Sequence, residues 1–313
     1  MSQKLLFVFY AHSGKVQIRS ELLDIVDIMV KADYEVTIYP TQERGDATRK
    51  IKECAQGYDR IVCSGGDGTL DEVVTGLIEA KLDIPIGYIP PGSTNDFANS
   101  LGIPNGIIEA AHTAVGNQIF PCDAGRFNKD TFAYVAAFGL FTEVSYATSQ
   151  QLKNILGRVA YILEGAKALR DVPSYRMRVE WEDYSVEGSF IYGMVSNSIS
   201  VGGFKGITGP DVLLDDGEFE VTLIKEPKSM MELNEILACL GRLIDDSDLI
   251  LSFKTNELRV TSDEPVAWTQ DGEFGGQHTE VTIRNLKQRV RILVDDVETL
   301  GYEFTNKIET FDE

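Results

Sequence analysis

The first third of the chain alternates short apolar runs with segments whose apolar residues recur at helical spacing. Residues 5–10 form a continuous apolar run, which is expected of a buried parallel strand, and helical spacing follows from Ile18 to Met29. Asp46 follows a polar loop and is placed to cap the next helix. Further short strands are predicted at residues 36–39, 61–62 and 84–89. This alternation predicts a parallel sheet with right-handed crossovers and ligand-binding loops at the carboxyl ends of its strands.

After about Asp123 the pattern changes to short strands separated by turns. Asp216-Gly217 and Asp271-Gly272 are typical of hairpin turns, and two helices, roughly 150–169 and 230–240, interrupt the strands. The predicted strands cover residues 131–135, 175–181, 190–195, 218–224, 258–260, 280–283 and 290–294. We therefore predict an α/β domain over residues 1–123 and a mainly antiparallel β-sandwich domain over 124–294. We expect the acidic segment from about 295 to 313 to pack back on the first domain.

Composition excludes several classes of protein. The formal net charge of −20 over 313 residues opposes nonspecific binding to nucleic acid and general adhesion to anionic membranes, so any contact with anionic lipid requires a local patch. The four cysteines are scattered without a CxxC pair, which argues against structural zinc and disulfides and favours reduced thiols in the cytoplasm. The early apolar run, Leu5 to Ala11, is too short to span a bilayer.

The stretch Gly65-Gly66-Asp67-Gly68-Thr69 lies between a predicted strand and a predicted helix. Glycines permit a sharp turn and leave the backbone amides open, and amides at a helix start suit phosphate. An acid in such a turn would repel a bare phosphate, so Asp67 fits best beside a metal ion or its waters. The simpler alternative is a strand-to-helix turn with a solvated aspartate. The P-loop spacing is absent, and Asp71 stands where a dinucleotide motif has its third glycine.

A second loop, Pro91-Gly92-Ser93-Thr94-Asn95-Asp96-Phe97, follows the next predicted strand. Residues 64–74 and 89–101 together resemble the two signature loops of the diacylglycerol kinase catalytic family, which includes bacterial soluble lipid kinases, sphingosine kinases and ceramide kinases. The family is distantly similar to NAD kinases and phosphofructokinases. The resemblance covers nearly the whole chain. It implies a parallel Rossmann-like N-terminal sheet of the NAD kinase and diacylglycerol kinase type, followed by the β-sandwich.

The resemblance also implies roles for individual residues. Those implied to line the ATP phosphates are Gly66, Asp67, Gly68, Thr69, Leu70, Asp71 and Glu72. Further implied nucleotide contacts are Ser13, Gly14, Thr41 and Ser93. Asp67 would organise a catalytic Mg²⁺ through water. The sequence departs from the family pattern at Tyr10-Ala11, where Asn-Pro is usual, and at Asp71, where Asn is usual; the second change adds a negative charge near the phosphates.

Two acidic turns in the second domain have a simple alternative and a functional one. Asp271-Gly272-Glu273 is either a β-turn with solvated acids or, by resemblance, the segment from which one acid accepts the hydroxyl proton of the substrate. The residues leave Asp271 and Glu273 as joint candidates. The turn around Asp216 is either an empty hairpin or, by resemblance, a structural magnesium site that uses the Asp216 side chain and the carbonyls of Leu213 and Glu218.

The resemblance implies an ATP- and Mg²⁺-dependent lipid kinase, with diacylglycerol as the leading substrate and phosphatidic acid as the product. Such an enzyme would be cytoplasmic, would associate peripherally with the inner face of the membrane, and could form a homodimer. The helix around Lys153 and Arg158 is either packed in the core or a docking helix for the membrane. Two alternatives stay open: an NAD kinase-like enzyme with a soluble substrate, and a catalytically weak nucleotide-sensing protein. Which lipid is used is not determined, because an acyl pocket is built from generic apolar residues such as Phe138, Leu140, Phe141 and Phe204.

Overall fold

The computed structural model describes residues 2–11, 17–91, 95–140, 173–201, 204–205, 208, 212–240 and 247–297. The chain forms two compact units. The first comprises Met1–Ala124, Leu213–Asp216 and the chain from Leu286 onward, and the second comprises Gly125–Val212 and Gly217–Asn285. The expected layout of two domains is confirmed. The described residues contain no helix that is long and apolar enough to cross a membrane.

The first unit is built from alternating strands and helices. In chain order they are β1 (Gln3–Tyr10), α1 (Gln17–Lys31), β2 (Tyr34–Thr41), α2 (Asp46–Cys54), β3 (Arg60–Ser64), α3 (Asp67–Ala80), β4 (Ile86–Ile89), α4 (Asp96–Ser100) and α5 (Ile107–Ala114). The strands pair in the order β2-β1-β3-β4, and each of these pairings is parallel. Residues Leu5 to Val8 of β1 are fully buried, which explains why this strand is continuously apolar instead of alternating.

The remaining strands belong mostly to the second unit. They are β5 (Ile119–Phe127), β6 (Asp130–Phe132), β7 (Val135–Gly139), β8 (Tyr175–Trp181), β9 (Tyr184–Ser196), β10 (Ser200–Val201), β11 (Phe204–Lys205), β12 (Phe219–Lys225), β13 (Ile250–Thr255), β14 (Glu257–Gln270) and β15 (Glu273–Leu293), with helix α6 (Met230–Leu240) between β12 and β13. Strands β13, β12, β9, β7 and β14 pair antiparallel in that order. Buried side chains of these strands form a hydrophobic core that includes Trp268. The ring centroid of Trp268 lies 5.2 Å from that of Phe127 and 4.9 Å from that of Phe138.

One sequence expectation about the end of the second domain is corrected. Strands predicted separately at 280–283 and 290–294 are parts of the single strand β15. That strand also leaves the second unit, because Ile292 pairs in parallel with Ile86 of β4. Residues 213–216 and 286–294 make most of their contacts within the first unit. Beyond β15, the hydroxyl of Thr113 in α5 donates a hydrogen bond to Asp295, and the tail from residue 298 lies outside the described residues.

Candidate functional site

The glycine stretch forms a tight connection between β3 and α3. Strand β3 ends at Ser64 and α3 begins at Asp67, with Gly66 as its N-cap residue (φ −72°, ψ −178°) and no capping hydrogen bond from a side chain. The first amides of a helix have no partner within the helix and carry the positive end of its dipole. Gly66 is exposed, and a Cβ there would meet no atom within 4 Å. The turn therefore offers open backbone at a helix start, the geometry that binds phosphate.

The other half of the turn is packed tightly. A Cβ on Gly65 would lie 2.1 Å from Thr69 Oγ1, so the Thr69 side chain folds back over the turn and only glycine fits. Beneath it, the hydroxyl of Tyr88 in β4 donates a hydrogen bond of 3.0 Å to the carbonyl of Gly65. Tyr88 is almost fully buried, and burial raises its pKa well above the ordinary value, with the nearby Asp67 carboxylate as a further cause. Strand β4 therefore supports both the turn and its aspartate.

The acids of the turn provide a donor set that fits magnesium. Asp67 and Asp71 stand four residues apart on α3, so they project from one face of its first turns. Oδ1 of each carboxylate is shielded from solvent. Carboxylate oxygens are the donors that Mg²⁺ prefers. Leu70 is different: its side chain is fully buried, so only its backbone is available to a nucleotide.

The side chain of Glu72, which the sequence placed along the ATP phosphates, is bonded to another part of the first unit. Its Oε1 accepts a hydrogen bond of 2.6 Å from the amide of Gly45, and its Oε2 accepts one of 3.0 Å from the amide of Ala47. The carboxylate is thus directed at the start of α2.

The loop after β2 is ordered by a second acid. Thr41 is buried at the carboxyl end of β2, and its hydroxyl donates a 3.3 Å hydrogen bond to the carbonyl of Phe9. Asp46 is the first residue of α2 and not its cap, since Gly45 holds the N-cap position. The Asp46 carboxylate reaches back to the amide of Gln42 (2.9 Å) and the hydroxyl of Tyr39 (3.0 Å). The bond from the Gln42 amide is the main cause of its lowered pKa.

The remaining expected contacts in this unit are Ser13, Gly14 and Ser93, and all three lie outside the described residues. The second signature loop is described from its last residues onward. There Asn95 and Asp96 are buried where α4 begins, and Asn95 has a left-handed conformation (φ 46°).

In the second unit, Asp271 and Glu273 have different environments. Asp271 and Gly272 both have positive φ (47° and 83°), as a type I′ hairpin turn requires. The Asp271 carboxylate is buried and accepts backbone hydrogen bonds from Ala133 (2.5 Å), Tyr134 (3.0 Å) and Val135 (2.9 Å). Glu273 is partly exposed. The structure thus separates two acids that the sequence left as equal candidates.

Gln270 is the last residue of β14 and flanks the Asp271-Gly272 turn. It is the cross-strand partner of Glu273 in the β14–β15 hairpin. Its carboxamide lies over Gly275, where a Cβ would come within 2.7 Å of Gln270 Nε2. A two-residue hairpin pairs the residues that flank its turn, so the pairing of Gln270 with Glu273 follows once Asp271-Gly272 is recognised as the turn.

The residues of the predicted structural magnesium site have partners of their own. The Asp216 carbonyl accepts a hydrogen bond of 3.0 Å from Lys287 Nζ, and the Glu218 carbonyl accepts one of 3.2 Å from Asn285 Nδ2. Burial raises the pKa of Asp215, with the charge of Asp216 adding to the effect. Across the described part of the chain, no group of three or more His, Cys, Asp or Glu side chains could hold a metal. A metal here would depend on one carboxylate and on carbonyl oxygens.

Comparison with known proteins covers both units. Residues 4–127 match the family model described as the diacylglycerol kinase catalytic domain. Residues 135–294 match the model described as the YegS C-terminal NAD kinase beta sandwich-like domain. The two models thus divide the chain into an N-terminal and a C-terminal part, with the glycine turn in the first match and the Asp271 turn in the second.

Curated relatives and solved structures agree with the family models. A diacylglycerol kinase from Staphylococcus carnosus is 33% identical over 295 residues, covering 93% of this chain and 95% of the relative. One from Bacillus subtilis is 34% identical over 273 residues, covering 86% and 89%. Among solved structures, a diacylglycerol kinase from Bacillus anthracis has a TM-score of 0.73 at 22% identity and covers 94% of this chain and 97% of that one. The resemblance seen in the sequence is confirmed, and the chain belongs to the diacylglycerol kinase family.

Proposed function

We propose that this chain is a lipid kinase that transfers the γ-phosphate of ATP to the hydroxyl of diacylglycerol and so forms phosphatidic acid. The observation that carries the proposal is the open helix start at Gly66, flanked by Asp67, in a chain whose curated relatives are named diacylglycerol kinase. These relatives do not favour the two alternatives, an NAD kinase-like enzyme and a nucleotide-sensing protein.

The first unit binds the nucleotide in this proposal. The backbone at Gly66 and Gly68 and the side chain of Thr69 would contact the phosphates, and Asp67, with Asp71 on the same helix face, would hold Mg²⁺. When bound, Mg²⁺ would neutralise the charge that develops on the phosphates during transfer. Proposed further contacts are the backbone of Leu70 and residues Ser13, Gly14, Thr41 and Ser93.

The second unit supplies the general base, and we assign this role to Glu273. Asp271 already accepts three backbone amide hydrogens, so accepting a substrate proton would disrupt the hydrogen bonds that fix residues 133–135. Glu273 directly follows the turn and is partly exposed, as suits a residue that must meet a substrate hydroxyl. Because phosphoryl transfer has a loose transition state, the base mainly orients the hydroxyl and takes its proton late. Asp271 then has a structural role, which is to hold residues 133–135 against the hairpin turn.

Two further features are proposed from the family. A second Mg²⁺ would use the Asp216 side chain and the carbonyls of Leu213 and Glu218, with a structural role. The enzyme would reach its lipid by peripheral association with the inner face of the membrane, with a homodimer as one assembly. The predicted docking segment around Lys153 and Arg158 lies outside the described residues. Liposome sedimentation of the wild-type protein and of a variant with both residues changed to Glu tests this segment, since equal binding of the two proteins would exclude it as the membrane contact.

The decisive experiment is a transfer assay with the purified protein, γ-labelled ATP and Mg²⁺. Diacylglycerol in mixed micelles is the test acceptor, other lipid classes are presented in the same way, and NAD is the soluble control. Label in phosphatidic acid supports the proposal, and label in NAD alone refutes it. Glu273→Gln should reduce turnover about 100-fold, the range for loss of a general base, while ATP affinity stays within twofold of wild type. If ATP binds but no acceptor is labelled, the nucleotide-sensing alternative is favoured instead.

A further inference from the structure

Helix α2 begins without a capping side chain of its own. Its N-cap residue is Gly45, which has a left-handed conformation (φ 79°) and makes no capping hydrogen bond. Helix starts normally gain about 1 kcal/mol from an oxygen that accepts a hydrogen bond from the first amides. An uncapped helix start next to a nucleotide loop is a place where an anion binds. The anion that binds at the start of α2 therefore helps to fix the position of the loop that precedes this helix.

The anion is the carboxylate of Glu72, which belongs to another helix. Its two oxygens accept hydrogen bonds from Gly45 (2.6 Å) and Ala47 (3.0 Å). Its backbone carbonyl accepts a third bond, of 2.9 Å, from the hydroxyl of Thr48. Both ends of Glu72 thus bind the first turn of α2. The carboxylate supplies the missing cap and places a negative charge at the positive end of the α2 dipole.

Glu72, which caps α2, belongs to α3 and lies near the turn at Gly65–Gly68 where α3 begins. Glu72 lies five positions after Asp67 in α3. On the other side, Asp46 binds the amide of Gln42, so the loop between Thr41 and α2 is held at both ends by carboxylates. The loop that follows Thr41 and the helix that carries Asp67 are therefore joined through one side chain.

We propose that Glu72 is a positioning residue for nucleotide binding, which fixes the loop after Thr41 to the helix of the phosphate turn. The inference rests on the proposed function, because it presumes that ATP binds at the turn. It differs from the role implied by the sequence, since Glu72 acts on the nucleotide only through the loop and makes no contact with a phosphate.

Helix α3 contains a matched control. Glu79 stands two turns after Glu72 and also links α3 to α2, through a 2.6 Å ion pair with Lys52. That pair is exposed, with side-chain exposures of 49% for Lys52 and 37% for Glu79. Exposed ion pairs contribute little to stability. Glu79→Gln removes the same charge from the same helix and the same helix pair, but it leaves the loop untouched.

The experiment compares wild type, Glu72→Gln and Glu79→Gln by two measurements. Amide hydrogen exchange at Gly45 and Ala47 without nucleotide reports on the carboxylate contacts independently of any kinase activity. Calorimetric titration with Mg²⁺-ATP, together with KM for ATP and for lipid, reports on the consequence. For Glu72→Gln we expect at least tenfold faster exchange at both amides, about tenfold weaker ATP binding, and a lipid KM within twofold of wild type. Glu79→Gln should match wild type in every measurement.

A conservative variant separates positioning from folding. Glu72→Asp keeps the charge with a side chain shorter by one methylene, so it should recover part of the ATP affinity, and it replaces Glu72→Gln if that variant fails to fold. Unchanged exchange at Gly45 and Ala47 would overturn the inference. Faster exchange with ATP affinity within twofold of wild type would also overturn it, because the contact would then be structural only. A wild-type protein that binds no ATP would refute the proposed function itself, a result that is distinct from both.

Discussion

The most informative single substitution is Asp271→Asn, because it keeps the shape of the side chain and changes only its hydrogen bonding. In the native protein, one carboxylate oxygen accepts the amides of Tyr134 and Val135, and the other accepts the amide of Ala133 at 2.5 Å. Asparagine keeps one acceptor oxygen and replaces the other with an NH₂ group. Whichever way it is oriented, at least one buried N–H then faces another donor.

The expected loss of stability follows from these contacts. A buried donor without an acceptor costs about 1–3 kcal/mol, and the bonds that remain lose the contribution of the negative charge. We therefore expect Asp271→Asn to lower the free energy of unfolding by about 3 kcal/mol. For a domain of this size, that corresponds to a fall in Tm of about 6–12 °C. Glu273→Gln, at a partly exposed position two residues away, should change stability by less than about 0.5 kcal/mol.

Calorimetry and the transfer assay together test this reasoning. At a temperature where both variants are folded, Asp271→Asn should keep most of the wild-type turnover, whereas Glu273→Gln should lose about 100-fold. If Asp271→Asn melts at the wild-type temperature and loses turnover as strongly as Glu273→Gln, Asp271 takes part in the chemistry. The assignment of the base to Glu273 alone would then be wrong.

Three further changes test the first unit. Gly66→Ala should fold normally, because the backbone angles of Gly66 suit alanine and nothing lies near the new Cβ. It should bind ATP at least tenfold more weakly if a phosphate approaches this amide. Gly57→Ala, at an equally open position, is the control in the ATP titration. Tyr88→Phe removes only the hydroxyl beneath the turn, so it should lower the free energy of unfolding in urea by about 1 kcal/mol. By loosening Asp67, it should also raise the Mg²⁺ concentration needed for half-maximal turnover. An unchanged Mg²⁺ dependence would contradict this expectation. Because the pKa of Asp46 is lowered in the folded state, its contribution to stability is complete above the unfolded pKa, about 4, and is lost as the pH falls through the folded value. The stability difference between wild type and Asp46→Asn should therefore shrink below about pH 4, as measured by urea unfolding across a pH series.

The sequence predicted the parts of the fold that depend on local pattern. The buried run of β1, the turn between β3 and α3, and the hairpin at Asp271-Gly272 all follow from apolar periodicity and from residues that permit a turn. It did not predict that the end of β15 pairs with β4, because strand pairing between distant segments leaves no local signal. The predicted cap of α2 was wrong for a related reason. Asp46 has the chemistry of a cap, but the left-handed Gly45 occupies the cap position and the capping oxygen comes from Glu72, remote in sequence.

For the same reason, the sequence alone could not assign roles to the acidic residues of the motifs. A carboxylate in a glycine-rich loop can bind a metal ion, accept a proton, or accept hydrogen bonds from backbone amides, and the sequence does not separate these uses. The structure assigns Glu72 and Asp271 to the third use, because both oxygens of each accept hydrogen bonds from backbone amides. Asp46 is similar in part: one oxygen accepts the amide of Gln42, and the other accepts hydrogen bonds from the Tyr39 hydroxyl and from Arg49. A carboxylate bound in this way is a fixed anion that orders a loop, and protonation or metal binding would break the bonds that it makes. Our proposal accordingly uses Asp67, beside the turn at Gly65–Gly68, and Glu273, beside the hairpin turn, for the chemistry.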